Sequence, residues 1–213
     1  MHKTLTILLA ALVVGWTVSA QAQPASRPAA TAGVVAGRIS AEQGKTLPEM
    51  IVYLESTDPA AKFAPPKEPI HVSQRDAKFT PSLIVVCVGQ SVDFSNDEPR
   101  PLEHNVFSRS PAKPFDLGLY PPGTGPKIVK FDAPGMVRLF CSIHRYMDGV
   151  IFVTPTPFHA KVAEDGTYRI EDVPAGEWKV KTWQRNARFN EREFMVKVAA
   201  GQTVVQNAEM SRK

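Results

Sequence analysis

From residue 33 onward the chain is a succession of short stretches in which apolar and polar residues alternate. Gly, Pro, Asn or Asp interrupts them every few residues, and no stretch sustains the 3.6-residue period of a helix. The alternation predicts strands at residues 34–40, 50–54, 70–73, 83–88, 91–95, 104–107, 127–131, 135–141 and 149–154. A C-terminal group follows at 167–170, 178–183, 194–198 and 203–208. Many short strands with turn residues between them describe an all-β chain of sandwich architecture.

One strand breaks the alternation. In "FTPSLIVVCVGQSVDFSN", Ile84, Val86 and Val88 share one face while Leu83, Val85 and Cys87 share the other, so both faces are apolar. A strand with one wet face would alternate with polar residues, so this one is expected to be covered on both sides. The candidates for the second cover are the terminal segments "GVVAGRISAEQGKTLPEMIVYLE" and "FHAKVAEDGTYRIEDVPAGEWKVKTWQ". Both read as hairpins, with turns at 42–44, 165–166 and 174–176. Together they would form one small sandwich, built from both ends of the chain, with another domain inserted between.

Composition narrows the setting. With 213 residues and 43% hydrophobic content, the chain has enough apolar material for buried cores. The start "MHKTLTILLAALVVGWTVSAQAQ" carries Lys3, then an apolar run of about 14 residues, then small residues suited to cleavage after Ala20 or Ala22. That is the pattern of a secretory signal peptide over residues 1–22. The run is short of the roughly 20 residues that span a bilayer. Residues 23–33, rich in Pro and Ala, read as a flexible leader. A net charge of +4, falling to +3 once Lys3 is removed, is spread without a cluster and favours neither nucleic acid nor an anionic membrane. Export places the protein in the periplasm or outside the cell, where cysteines often pair, so a bridge between Cys87 and Cys141 is the first rival to any use of Cys141 as a ligand.

The chemistry gathers at "CSIHRYM", residues 141–147, which sets Cys141, His144 and Met147 at intervals of three, with His104 lying 37 residues upstream in "PLEHNVFS". A thiolate, two imidazoles and a thioether are the donors of a trigonal His/His/Cys copper site with a long axial Met. One donor comes from a distant strand and three from a single loop, so the strand fixes one direction of the cavity before metal arrives. Zinc accepts Cys and His but seldom a thioether, so Met147 argues for copper. Taken singly, each histidine would be a surface or satisfied core residue, and Met147 would be core filling; their order along the chain is what points to a metal. His71 and His159 have no partner motif and are expected to be structural or exposed. Glu103, Arg145 and Asp148 are expected to form a solvated rim, and Arg145 and Tyr146 could help a partner dock.

These residues carry a resemblance. The runs "FTPSLIVVCVGQSVDFSND", "HNVFS" and "APGMVRLFCSIHRYMDGVIFV" resemble the cupredoxins, the amicyanin and plastocyanin-like blue-copper domains, over about residues 70–154. The resemblance implies a Greek-key β-sandwich, one mononuclear copper held by His104, Cys141, His144 and Met147, and a link between the two ligand segments through Asn105 and Ser142. It also implies that electrons pass at the His144 edge. A cupredoxin strand layout turns Cys87 away from the metal end, too far from Cys141 for a disulfide, and leaves it as a small apolar residue between domains. The flanks, residues 34–69 and 155–213, resemble the smaller prealbumin-like, carboxypeptidase regulatory-like sandwich. The whole layout is similar to exported methylamine utilization or plastocyanin-like proteins. A long insert, "SRSPAKPFDLGLYPPGTGPK", departs from plastocyanin and is expected either to shape the surface near the copper or to pack on the second sandwich.

The expected function is one-electron transfer between Cu(II) and Cu(I) with an unidentified redox partner protein, and no enzymatic turnover. Copper oxidases and nitrite reductases of related folds need a second copper site with several more histidines, and the mature chain has four in all. Two other classes stand beside this reading. One is a copper-handling or envelope-docking module, and the other is an adhesion module that has kept the ligands.

Overall fold

The computed structural model describes residues 32–43 and 45–213. The leader over residues 1–22 and nearly all of 23–33 lie outside them. Every regular element among the described residues is a strand: β1 (Ala32–Ala41), β2 (Met50–Ser56), β3 (Ile70–Arg75), β4 (Lys78–Thr80), β5 (Leu83–Cys87), β6 (Ser91–Asn96), β7 (Phe107–Ser108), β8 (Phe115–Asp116), β9 (Lys127–Lys130), β10 (Gly135–Phe140), β11 (Asp148–Thr154), β12 (His159–Lys161), β13 (Thr167–Pro174), β14 (Gly176–Gln184), β15 (Glu193–Val198), β16 (Thr203–Val205) and β17 (Ala208–Met210). The fold is all-β.

Four sheets build two sandwiches. In the first, the sheet β4-β3-β6-β9 faces the sheet β5-β11-β10-β7-β8. Their shared core holds Val72, Phe79, Ile84, Val86, Phe94, Phe131, Val137, Leu139, Ile151 and Val153. In the second, β13-β1-β16, with β17 beside β1, faces β12-β2-β14-β15. Val35, Ile39, Val52, Leu54, Tyr168, Ile170, Trp178 and Val180 fill that core. Strands with one wet face keep the period of two: β13 buries Tyr168 and Ile170 and exposes Thr167, Arg169 and Glu171.

Strand β5 is buried at all five positions, and β11 is buried from Gly149 to Thr154. Ile84, Val86, Ile151 and Val153 point into the first core, while Leu83, Val85, Val150 and Phe152 point the other way. They meet Ile51, Tyr53 and Trp183 from the back of β2 and β14. Phe152 and Trp183 stack with centroids 4.1 Å apart and planes 6° apart, and Tyr53 meets Phe152 edge-on at 5.3 Å. The cover expected over the second face of residues 83–88 is therefore the sheet β12-β2-β14-β15.

Several local expectations change. The terminal segments are not hairpins. β1 and β13 pair with each other in one sheet, while β2, β12 and β14 lie in the other. The turns near 165–166 and 174–176 thus carry the chain across the sandwich from sheet to sheet; β1 and β2 likewise lie in different sheets, and the turn expected at 42–44 falls partly outside the described residues. A tight turn serves either purpose, and its residues do not say which strand will accept the hydrogen bonds. Gly166, at φ +86°, packs where a Cβ would collide with the Ile39 carbonyl. The expected strand at 203–208 is split into β16 and β17, both parallel to β1. Ala32 and Gly33, read as leader, already belong to β1, opposite Pro174 and Val173. Small residues gave them no strand signal, and there is room at Gly33 for no side chain beside the Ala199 carbonyl.

Candidate metal centre

β10 and β11 are antiparallel neighbours whose last pair is Phe140 with Asp148, so residues 141–147 form the loop of a hairpin at one end of the first sandwich. The Met147 N–H donates to the His144 carbonyl at 2.9 Å, which folds the loop back on itself. His104 reaches the same end from the segment after β6. The strand expected at 104–107 is reduced to β7, with His104 in an isolated bridge to Tyr120. The His104 N–H donates to the Tyr120 carbonyl at 3.2 Å and the Tyr120 N–H to the His104 carbonyl at 2.9 Å. Tyr120 belongs to the long insert, which therefore shapes the metal end. Its Phe115 and Leu117 pack on the first core.

Three donor atoms converge. One nitrogen each of His104 and His144 and the Cys141 sulfur all lie within 4.8 Å of one another. Nδ1 of His104 is 3.1 Å from Nδ1 of His144, and Cys141 Sγ is 4.0 Å from the first and 3.8 Å from the second. His104 and Cys141 are buried and His144 half-buried. Met147 is buried in the same core cluster as Cys141, at the far end of the loop. Both cysteines are free, so the disulfide alternative does not form. Cys87 is buried, and burial pushes its thiol above the usual range.

The loop and the His104 segment are tied through Asn105. Its Oδ1 accepts the Ser142 N–H at 2.7 Å and the Ser142 hydroxyl at 2.9 Å, and its Nδ2 donates to Asp116 at 3.2 Å. One buried carboxylate was not singled out from the sequence. Glu98 Oε1 lies 2.9 Å from His104 Nε2 and accepts the Ala77 N–H at 2.9 Å, with both side chains fully buried. Burial works against its charge. The Ala77 N–H and the His104 ring outweigh that and hold the carboxyl below its ordinary range. With the carboxylate accepting from Nε2–H, the Nδ1 lone pair of His104 is assigned to face Cys141 and His144, the tautomer a ligand needs. The signal in the sequence was faint: a lone glutamate in "NDEPRP", two residues after β6.

Burial pushes the Tyr120 hydroxyl up to about 12, against the lowering effect of its hydrogen bond with Gln74, and the nearby Cys141 adds to the rise. Asp148, expected in a solvated rim, is exposed, and it also pairs with Arg185 of the second sandwich at 2.5 Å. Glu103 and Arg145 are exposed. His71 lies between Asp93 and Asp97 on the far sheet, and His159 sits half-buried in β12.

No family model and no curated protein matches the chain. Among solved structures it is similar to a Cu-containing nitrite reductase from Thermus scotoductus SA-01, at 27% identity and a TM-score of 0.39, over 46% of this chain and 25% of that one. It is similar to a purple cupredoxin from Nitrosopumilus maritimus at 22% identity and a TM-score of 0.33, over 40% and 99%. Amicyanin, as an oxidised mutant, matches at 19% identity and a TM-score of 0.35, over 40% and 81%. The chain thus spans a quarter of the nitrite reductase's length. These are partial likenesses, and the chemistry of the site rests on its own donor atoms.

Proposed function

We propose that this chain is an exported, mononuclear blue-copper protein that passes single electrons between redox partner proteins and turns over no substrate. The observation that carries the reading is the convergence of His104 Nδ1, Cys141 Sγ and His144 Nδ1 within 4.8 Å at the edge of a core that also holds Met147. Two imidazoles, a thiolate and a nearby thioether suit copper better than zinc or a hard cation. Copper bound there supplies a centre that alternates between Cu(II) and Cu(I).

The chain's own residues do the rest. Glu98 orients the His104 ring from behind, and Asn105 fixes the Ser142 end of the loop to the His104 segment. The donors are held before metal arrives, and little has to move when the charge changes. Buried His104 and Cys141 exclude water, while half-buried His144 faces outward between Ile143 and Tyr146, 49% and 72% exposed. That edge is where a partner would exchange the electron. Four protein donors leave no open position, which favours electron transfer over catalysis. Export rests on the reading of residues 1–22 as a signal peptide.

The test is a visible and EPR spectrum of the protein after one equivalent of Cu(II). An intense thiolate-to-copper band with narrow copper hyperfine splitting is expected, and Cys141→Ser should abolish the band. A colourless, ordinary Cu(II) spectrum would overturn the reading and leave a copper-handling or binding role.

A further inference from the structure

Arg185 of the second sandwich reaches the base of the ligand loop. Arg185 stands directly after β14, with Trp183 two residues earlier stacked on Phe152, so its backbone leaves from the layer that joins the sandwiches. Its Nη2 donates to Asp148 Oδ2 at 2.5 Å and its Nη1 to the Ser82 hydroxyl at 3.5 Å. Asp148 follows Met147 and pairs with Phe140, which precedes Cys141. The guanidinium therefore grips one of the two stems from which residues 141–147 hang. The Ser82 carbonyl accepts the Val150 N–H at 2.9 Å, so the same arginine also bridges the entries of β5 and β11. The Arg185 side chain is only 25% exposed, in the wall of a cleft of about 480 Å³ between the sandwiches.

We propose, resting on the copper reading above, that Arg185 is a positioning residue for the metal centre. Through Asp148 it pins the stem of the ligand loop to the second sandwich and keeps Met147 and His144 in place whether or not metal is bound. This gives the second sandwich a role in the site: it braces the β11 stem of the donor loop. A guanidinium suits the task because its planar fork holds two acceptors in a fixed geometry, where an ammonium would hold one at a time.

The experiment compares the full-length protein with Arg185→Ala, Arg185→Lys, Asp148→Asn and the Arg185→Ala/Asp148→Asn double variant. In the copper-free proteins, Arg185→Ala should speed amide hydrogen exchange at residues 142–147 while leaving β3 and β6 as in the parent. In the copper-loaded proteins it should weaken copper affinity, read by competition with a chelator, by about threefold, below the 10- to 100-fold loss of affinity typical of groups bonded directly to a ligand. Arg185→Lys should recover part of both effects, and the double variant should be no worse than the worse single one. If Arg185→Ala lowers the melting temperature but leaves loop exchange and copper affinity unchanged, the arginine merely docks the sandwiches and the proposal is wrong. A parent protein without the thiolate band would sink the copper reading. The copper-free exchange result would then still decide whether Arg185 braces the loop.

Discussion

Glu98 shows how much a single buried carboxylate decides. Its Oε1 serves two donors, the Ala77 N–H and the His104 ring, and its Oε2 has no partner among the described residues. Glu98→Ala leaves both donors buried without an acceptor, and each such orphan costs about 1–3 kcal/mol. The expected loss is about 3 kcal/mol in urea unfolding of the copper-free protein, together with a 10- to 100-fold loss in metal affinity. Glu98→Gln keeps an acceptor oxygen of the same shape, so it should lose less stability than Glu98→Ala. Equal losses in the two variants would mean that the carboxylate's shape and hydrogen bonds are not what matters. The three residues whose donor atoms converge, His104, Cys141 and His144, could be read from the spacing at 141–147 and from His104 upstream, because ligand chemistry restricts which residue types occur. Glu98 could not, since any acidic residue in a polar loop looks solvated until the fold buries it.

At the scale of elements, the parallel pair β3 and β6 sets His71 opposite Asp93, with Asp97 on the other ring nitrogen. The Asp93 hydrogen bond, against some loss of hydration, and the further charge of Asp97 hold His71 above the usual histidine range. A histidine whose folded pKa is raised contributes stability that is complete below its unfolded value, near 6.5, and is lost as pH rises through the folded value. His71 is more than half exposed, so the effect is modest. The melting temperature of the parent should exceed that of His71→Gln at about pH 5.5, and the gap should close toward about pH 8.5. A gap that stays constant would show that the charge plays no part. Strands with a clear alternation, such as β10 and β13, were legible in the sequence. The two-residue strand β8 was not, and β7 only overlapped the end of the strand expected at 104–107, because such strands are defined by the partner they find and not by their own pattern. The mistaken hairpins have the same origin: a turn fixes the direction of the chain but not the sheet it enters.

For the molecule as a whole, the apolar second face of β5 was the most informative feature of the sequence, because it required a covering layer that no local pattern could supply. The layer it found joins the sandwiches through Leu83, Val85, Val150 and Phe152 on one side and Ile51, Tyr53 and Trp183 on the other. Charged residues continue the contact at its margin, where Lys161 Nζ donates to the Leu83 carbonyl and Arg185 holds Asp148. An apolar layer of this kind couples the stability of its two sides, since neither can unfold without exposing the other's face to water. The parent should therefore melt in one transition. Trp183 carries the largest ring in the layer, and removing a buried tryptophan typically costs about 3–5 kcal/mol, with about 1 kcal/mol of that attributable to its stack. Trp183→Ala removes that coupling but leaves both sandwich cores intact, because Trp183 belongs to neither. Calorimetry of this variant should show two separated transitions, with only the one from the first sandwich moving when copper is added. A single transition, merely lowered, would mean that the sandwiches are joined by something other than this layer.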